Sequence, residues 1–257
     1  MTYPGGKGGA GVYQTIINQI PPHRVYVEPF AGSATIYRKK RLCERSVLID
    51  KAPGGTADLD GASGCSLDII NDDGITYLQN WRCQLDAFVY ADPPYVRDAR
   101  KSRRDLYEFE MSDAEHVRFL DAVTALPCMV MVSGYHSDLY AEALTDWRVV
   151  TFQAMTRRGM ATEYLWMNYP EPTALHDHRY LGDDYRDRER IKRKAERWAA
   201  RFASLPDQER CGILSAILAV PDLASSIVAV QESHTADNDD DRSSSGVTVS
   251  AGTHRQK

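Results

Sequence analysis

The stretch RVYVEPFAGSATIYRKKR, Arg24 to Arg41, decides how this chain is read. Arg24–Val27 has the make-up of a short strand, Pro29–Gly32 that of a turn, and a helix is expected from Ser33. A small-residue turn between strand and helix lets backbone N–H groups and a helix N-terminus approach a ligand closely. The full GxGxxG fingerprint is absent, so a dinucleotide is not specifically indicated. Taken alone, a plain strand–turn–helix corner explains the stretch equally well.

The same alternation continues on both sides. SVLID (Ser46–Asp50) is a second apolar strand ending in an acid, and KAPGGTADLDGASG reads as a Gly/Ala-rich loop. CSLDIINDDGITYLQNW gives a strand to Ile70, a polar turn at Asn71–Asp73 and then a helix. AFVYADPPY is a fourth strand and PCMVMVSGY a fifth. SDAEHVRFLDAVTAL has a cap-like Ser112 and helical apolar spacing. WRVVTFQ and TEYLWMNY form a pair of later strands. Strands alternating with helices predict an α/β fold with a mostly parallel sheet and helices on both faces. Ligands of such sheets sit at the carboxyl ends of the strands, near the point where strand order reverses. Asp50, Asp73, Asp92 and Ser133 are expected to converge there.

From about Pro170 the character changes. DYRDRERIKRKAERWAARFASL reads as a long charged helix with Ile191, Ala195, Trp198 and Phe202 as an apolar stripe, and PDQERCGILSAILAV as a shorter helix. Packing of the long helix on the main domain is the default expectation. DNA contact and dimerisation are the alternatives. The expected division is a main domain over 1–170, a C-terminal helical extension over 171–232 and a disordered tail over 233–257.

The chain has 257 residues, 43% hydrophobic and 26% charged, which suits a globular protein with a sizeable core. No apolar run reaches membrane-spanning length, so no membrane association is expected. MTYPGGKGGAG carries no hydrophobic signal segment, which predicts a cytoplasmic location. The five cysteines are scattered with no CxxC pair, so buried free thiols are expected rather than zinc or disulfides. The formal net charge of −5 conceals clustering: RDARKSRR (Arg97–Arg104) is basic and TADNDDDR near the C-terminus acidic.

The chemistry concentrates at FVYADPPYV (Phe88–Val96). Asp92 ends a strand and accepts hydrogen bonds. Pro93 and Pro94 fix the turn and lack an N–H, which leaves nearby carbonyls as acceptors. Tyr95 offers a flat face for a planar ring. Two acceptors beside a stacking face suit an aromatic amine, whose lone pair is delocalised until its protons are engaged. Asp50 at the end of the second strand is placed to hold ribose hydroxyls, or is a solvated strand end. YPGGKGG (Tyr3–Gly9) is glycine-rich with one lysine, but Gly8 follows Lys7, so it is not a triphosphate loop.

With these motifs in this order, residues 2–170 resemble the Dam-type DNA adenine methyltransferases whose cofactor motifs come first in sequence. The resemblance implies a Rossmann-like S-adenosylmethionine-dependent methyltransferase fold. YPGGK is similar to the N-terminal cofactor motif, with Tyr3 and Lys7, and VEPFAGSA to the motif that holds the methionine part, with Glu28, Pro29, Phe30 and Gly32. Asp50 matches the ribose acid. Asp73, or else Asp72, stands beside the cofactor adenine. DPPY (Asp92, Pro93, Pro94, Tyr95) matches the catalytic motif. VSGYHSDLY and RRGMATEYLWMNY resemble later segments. The implied cofactor is S-adenosylmethionine without a metal. The implied activity is site-specific methyl transfer to the exocyclic amine of adenine flipped out of double-stranded DNA.

The chain departs from the family in two places. A loop follows the ribose acid where a helix is usual, and no separate target-recognition domain fits between INDD and DPPY. The basic residues Arg97, Arg100, Lys101, Arg103 and Arg104 are expected to grip DNA phosphates, with Arg118, Arg157 and Arg158 as lesser candidates. Tyr135 and His136 stand at another strand end. The alternatives are methyl transfer to an RNA adenine or a cytosine amine, or an inactive DNA-binding module of the same fold. A monomer or weak dimer is expected.

Overall fold

The computed structural model describes residues 6–62, 64–99, 109–156 and 159–220. One seven-stranded sheet runs through it. Its strands are β1 (Val25–Glu28), β2 (Arg45–Asp50), β3 (Ser66–Asn71), β4 (Ala87–Ala91), β5 (Met129–Gly134), β6 (Arg148–Thr156) and β7 (Gly159–Met167). The helices are α1 (Val12–Ile17), α2 (Thr35–Lys39), α3 (Gly74–Asn80), α4 (Asp113–Thr124), α5 (Asp138–Ala143), α6 (Tyr185–Ala203) and α7 (Asp207–Leu218). The strand order is β3-β2-β1-β4-β5-β7-β6, with β1 to β5 parallel and β7 antiparallel to both its neighbours. This is the mostly parallel Rossmann-like α/β arrangement expected from the sequence.

Side chains alternate across each strand, and here both faces are covered. Val25, Val27, Val47, Ile49, Val89, Val130 and Val132 pack with Ile75 and Leu78 of α3 and Phe119 and Val123 of α4. Tyr26, Leu48, Phe88, Tyr90 and Met131 point the other way, against Val12 and Ile16 of α1 and Ile36 and Tyr37 of α2. Two-sided burial of β1, β2, β4 and β5 is why those strands read as apolar runs, whereas the outer strands β3 and β6 are partly exposed. Ser112 caps α4 as expected: its hydroxyl accepts from the Glu115 N–H, and the Glu115 carboxylate accepts from the Ser112 N–H at 2.8 Å.

Helices α1 and α5 were not anticipated. Each has only six residues, too few to establish a periodicity. Among its described residues the loop after Asp50 contains one 3₁₀ turn, Pro53–Gly55, and no α-helix. Beyond residue 170 the chain first folds back onto the body. Leu175, His176 and Asp177 are buried. The His176 N–H donates to the Ile20 carbonyl at 2.9 Å, the Arg41 N–H to Asp177 at 2.9 Å, and the Tyr180 hydroxyl to the Lys39 carbonyl at 3.1 Å.

Packing of the long charged helix on the main domain is not observed. None of its residues is buried, and Trp198 of the expected stripe is 61% exposed. Its eight bases face only three acids, Asp187, Glu189 and Glu196, and hydration opposes burying that charge. The cysteines are free, but Cys211 on α7 is exposed and Cys65 and Cys83 are half-buried; Cys43 and Cys128 alone are buried. No helix among the described residues is long and apolar enough to cross a membrane. The expected tail over 233–257 lies outside the described residues.

Candidate active site

From β1 the chain steps outward to β2 and β3, then returns to β4 on the other side of β1. Loops leaving the carboxyl ends of β1 and β4 therefore diverge to opposite faces and leave a crevice between them. A cleft of about 590 Å³ occupies that place. Lys7, Glu28, Pro29, Phe30, Gly32, Asp50, Asp73, Asp92, Pro93 and Pro94 line it. Tyr3, Arg100, Lys101, Arg103, Arg104, Arg157 and Arg158 lie outside the described residues.

Glu28, the last residue of β1, is 3% exposed and accepts from the Tyr26 hydroxyl at 2.8 Å. Burial pushes its carboxyl up to about 8, so it is largely protonated at neutral pH. Asp50, the last residue of β2, receives the Gly32 N–H on Oδ2 and the Ala52 N–H on Oδ1, both at 2.7 Å. One carboxylate thus ties the loop after β1 to the loop after β2. Asp73 caps α3 through the Thr76 N–H at 2.8 Å and pairs with Lys51 at 2.6 Å. Burial alone raises the Asp73 carboxyl, yet Lys51 and Thr76 hold it below its ordinary value. Asp72 is exposed and bonds only its neighbour's N–H, so Asp73 is the acid that faces the cleft.

Two glycines let these loops close on one another. A Cβ on Gly74 meets the Pro29 carbonyl oxygen at 2.0 Å, and one on Gly55 meets the Gly32 carbonyl oxygen at 2.1 Å. Ala34, at the start of α2, is the one described non-glycine residue with positive φ, at 49°.

At the carboxyl end of β4 the Asp92 carboxylate belongs to a buried polar chain. The Tyr90 hydroxyl lies 3.0 Å from the Ser133 hydroxyl, and Ser133 donates to Asp92 Oδ1 at 2.8 Å. Lys7 Nζ lies 2.8 Å from the same Oδ1 and 3.2 Å from Glu163. It also donates to the Tyr95 hydroxyl, which in turn donates to Glu163 at 3.1 Å. Burial alone lowers the Lys7 ammonium, but the Asp92 and Glu163 carboxylates override this and hold it well above its ordinary value. Among the described residues none donates to Asp92 Oδ2 or to the Pro93 carbonyl. Both residues line the cleft.

The open stacking face expected at Tyr95 is not present in this conformation. Tyr95 is 6% exposed and does not line the cleft; its ring packs against Tyr135 with centroids 4.4 Å apart. The polar chain pulls its hydroxyl inward, which turns the ring away from the opening. Lys7, read as a cofactor residue, stands where the cleft meets the Asp92 turn. Arg97 is exposed in a 3₁₀ turn, whereas Arg118 points to Gln79 on α3 at 3.2 Å. His136 packs against Tyr164 and is not among the residues lining the cleft.

Four residues at or beside the cleft were not singled out from the sequence: Glu163, Tyr90, Phe109 and Lys51. Glu163 left one signal, a lone acid within the apolar run of β7. Phe109, which lines the cleft and is 45% exposed, left none.

No family model matches the chain, and no curated protein does. Solved structures do. The precorrin 8w decarboxylase of Methanobacterium thermoautotrophicum aligns at 13% identity over 66% of this chain and 96% of its own, with a TM-score of 0.42. TrmK of M. capricolum, solved with S-adenosyl-homocysteine, aligns at 7% identity over 85% and 97%, with a TM-score of 0.40. The putative methyltransferase yhhF of Escherichia coli aligns at 14% identity over 65% and 92%, with a TM-score of 0.37. At these values the likenesses assign no substrate or chemistry to this chain.

Proposed function

We propose that this protein is an S-adenosylmethionine-dependent methyltransferase acting on the exocyclic amine of adenine in DNA. One observation carries the reading: Asp92 and Pro93, whose Oδ2 and carbonyl oxygen take no hydrogen bond from a described residue, line the same cleft as the acids Glu28, Asp50 and Asp73.

The donor set fits the cofactor. Its ammonium matches Glu28, whose buried carboxyl is readily ionised by a neighbouring cation. Its ribose hydroxyls match the lone pairs that Asp50 keeps beyond the two backbone N–H groups. Its adenine matches the region of Asp73 and the N-terminus of α3. The bound cofactor supplies an electrophilic methyl group on a sulfonium.

The chain's own residues do the rest. Asp92 Oδ2 and the Pro93 carbonyl accept from the two N–H bonds of the target amine, which localises its lone pair in line with the methyl group. Lys7 and Ser133 hold Oδ1 and fix the carboxylate's plane. As the N–C bond forms, the methyl group's bond to the sulfonium sulfur would break, its electron pair staying on the neutral sulfide, and the proton released from the amine passes to Oδ2 or to water. Admission of a flipped base requires Tyr135 to leave the face of Tyr95. Arg97 and the basic residues after it grip the strand on either side.

The test is incubation with a methyl-labelled donor and unmethylated duplex DNA, comparing the wild type with Asp92→Ala. Label in adenine with the wild type and none with the variant is expected. Cofactor binding without label in DNA overturns the substrate assignment.

A further inference from the structure

The feature left unexplained is α6. It is a 19-residue helix with no buried residue, capped by Asp184, whose carboxylate accepts from the Asp187 N–H at 2.8 Å. At 3.6 residues per turn, Arg186, Arg190, Arg193, Lys194, Arg197 and Arg201 fall within about 100° of the helix circumference. No acid falls within that arc. Two of the six are partly neutralised from its edges, Arg190 by Asp187 at 2.6 Å and Arg193 by Glu189 at 3.8 Å. Their side chains are nevertheless 65% and 71% exposed. In a chain of net charge −5, this helix carries eight bases against three acids.

The arc is about 22 Å long at 1.5 Å per residue. Duplex DNA carries one charge per roughly 1.7 Å of axis with both strands counted, so about 22 Å of it holds about a dozen phosphates, of which those on the facing side are within reach. A membrane surface fits less well. The apolar stripe Ile191, Ala195, Trp198 and Phe202 spans only about 60°, narrower than an interfacial helix uses. The segment leading into α6 is fastened to Lys39 and Arg41, at the far end of α2 from the cleft. Neither anchor residue lines the cleft.

We propose that α6 is a sequence-independent arm for duplex DNA, gripping the phosphate backbone away from the site of chemistry. The choice of DNA as the polyanion rests on the proposed function. The grip itself rests on the helix.

The test uses the full chain and a fluorescent mixed-sequence DNA duplex, titrated by anisotropy from about 50 to about 200 mM salt. The variant Arg186→Gln/Arg190→Gln/Arg193→Gln/Arg197→Gln is expected to lower the log–log salt slope by about 3 and to weaken binding at least about tenfold. Cofactor binding should not change. In the opposite direction, Glu189→Gln/Glu196→Gln should tighten binding a few-fold, which a variant that merely misfolds does not do. Unchanged slope and affinity in both variants overturn the proposal. So does tighter wild-type binding to anionic phospholipid vesicles or to duplex RNA than to duplex DNA. A wild type that binds DNA through α6 but transfers no methyl group overturns the proposed function and leaves the arm standing.

Discussion

Glu28 shows how a single position couples charge to binding. In the unfolded chain its carboxyl titrates at the ordinary 4.5, and in the folded protein at about 8. The folded state therefore holds this proton more tightly, and the stability Glu28 contributes is lost as pH rises from about 4.5 through about 8. A cationic ligand reverses the preference by favouring the ionised form. S-adenosylmethionine is expected to bind more tightly as pH approaches 8 and to release a proton at neutral pH. Calorimetry in buffers of different ionisation enthalpy reads that proton, and Glu28→Gln should abolish it. Lys7 gives a second test at the same scale. Lys7→Met leaves the buried Glu163 and the partly exposed Asp92 without their cation, a change that costs up to about 3–5 kcal/mol in fully buried pairs. Lys7→Met/Glu163→Gln should recover part of that loss in denaturant unfolding. Equal stability of the two variants means the second carboxylate is not coupled to the lysine.

The elements around the cleft depend on close backbone approach. Gly74 opens α3 directly against the Pro29 carbonyl, so Gly74→Ala must push α3 away from the loop after β1. Strain of this kind typically costs about 1–3 kcal/mol. Because the same loop lines the cleft, cofactor affinity should fall at least about tenfold while the far-UV spectrum is kept. These elements were also the legible part of the sequence. All five parallel strands and the Ser112 cap follow from local patterns: apolar runs, turn residues and a hydroxyl three residues before a glutamate. The polar chain from Tyr90 to Glu163 was not legible. It joins residues from four separate segments, and no local pattern encodes which side chains meet across a sheet. Tyr95 shows the cost of reading a motif without its neighbours, since Tyr135 and Glu163 decide where its ring and hydroxyl point. For α6 the stripe Ile191–Phe202 was visible, but whether a partner covers it is a tertiary property.

For the whole molecule, the segment after β7 acts as a clasp. His176 stacks on His23 with ring centroids 4.0 Å apart, both buried, and Asp177 binds the chain at Arg41. Burial, with Lys40 nearby, lowers His176 to about 3, and burial beside His176 and Lys40 holds His23 well below its ordinary value. The folded state disfavours their protons, so the stability they contribute is present above about 6.5 and is lost as pH falls toward 3. The thermal midpoint should drop steeply below pH 6.5, and His23→Phe should flatten that drop. A His23→Phe profile as steep as the wild type's places the acid sensitivity elsewhere.

The strand order carries a consequence for how the molecule comes into being. β6 and β7 are close in sequence, with Thr156 opposite Gly159, whereas Val25 of β1 must find Ala87 of β4 across all of β2, α3 and β3. Chain closure over such separations is slow compared with hairpin formation. The crevice between β1 and β4 is thus assembled from the most distant partners in the sheet. During synthesis, a chain that stops before Ala87 holds every acid proposed to bind the cofactor and none of the turn that would use it.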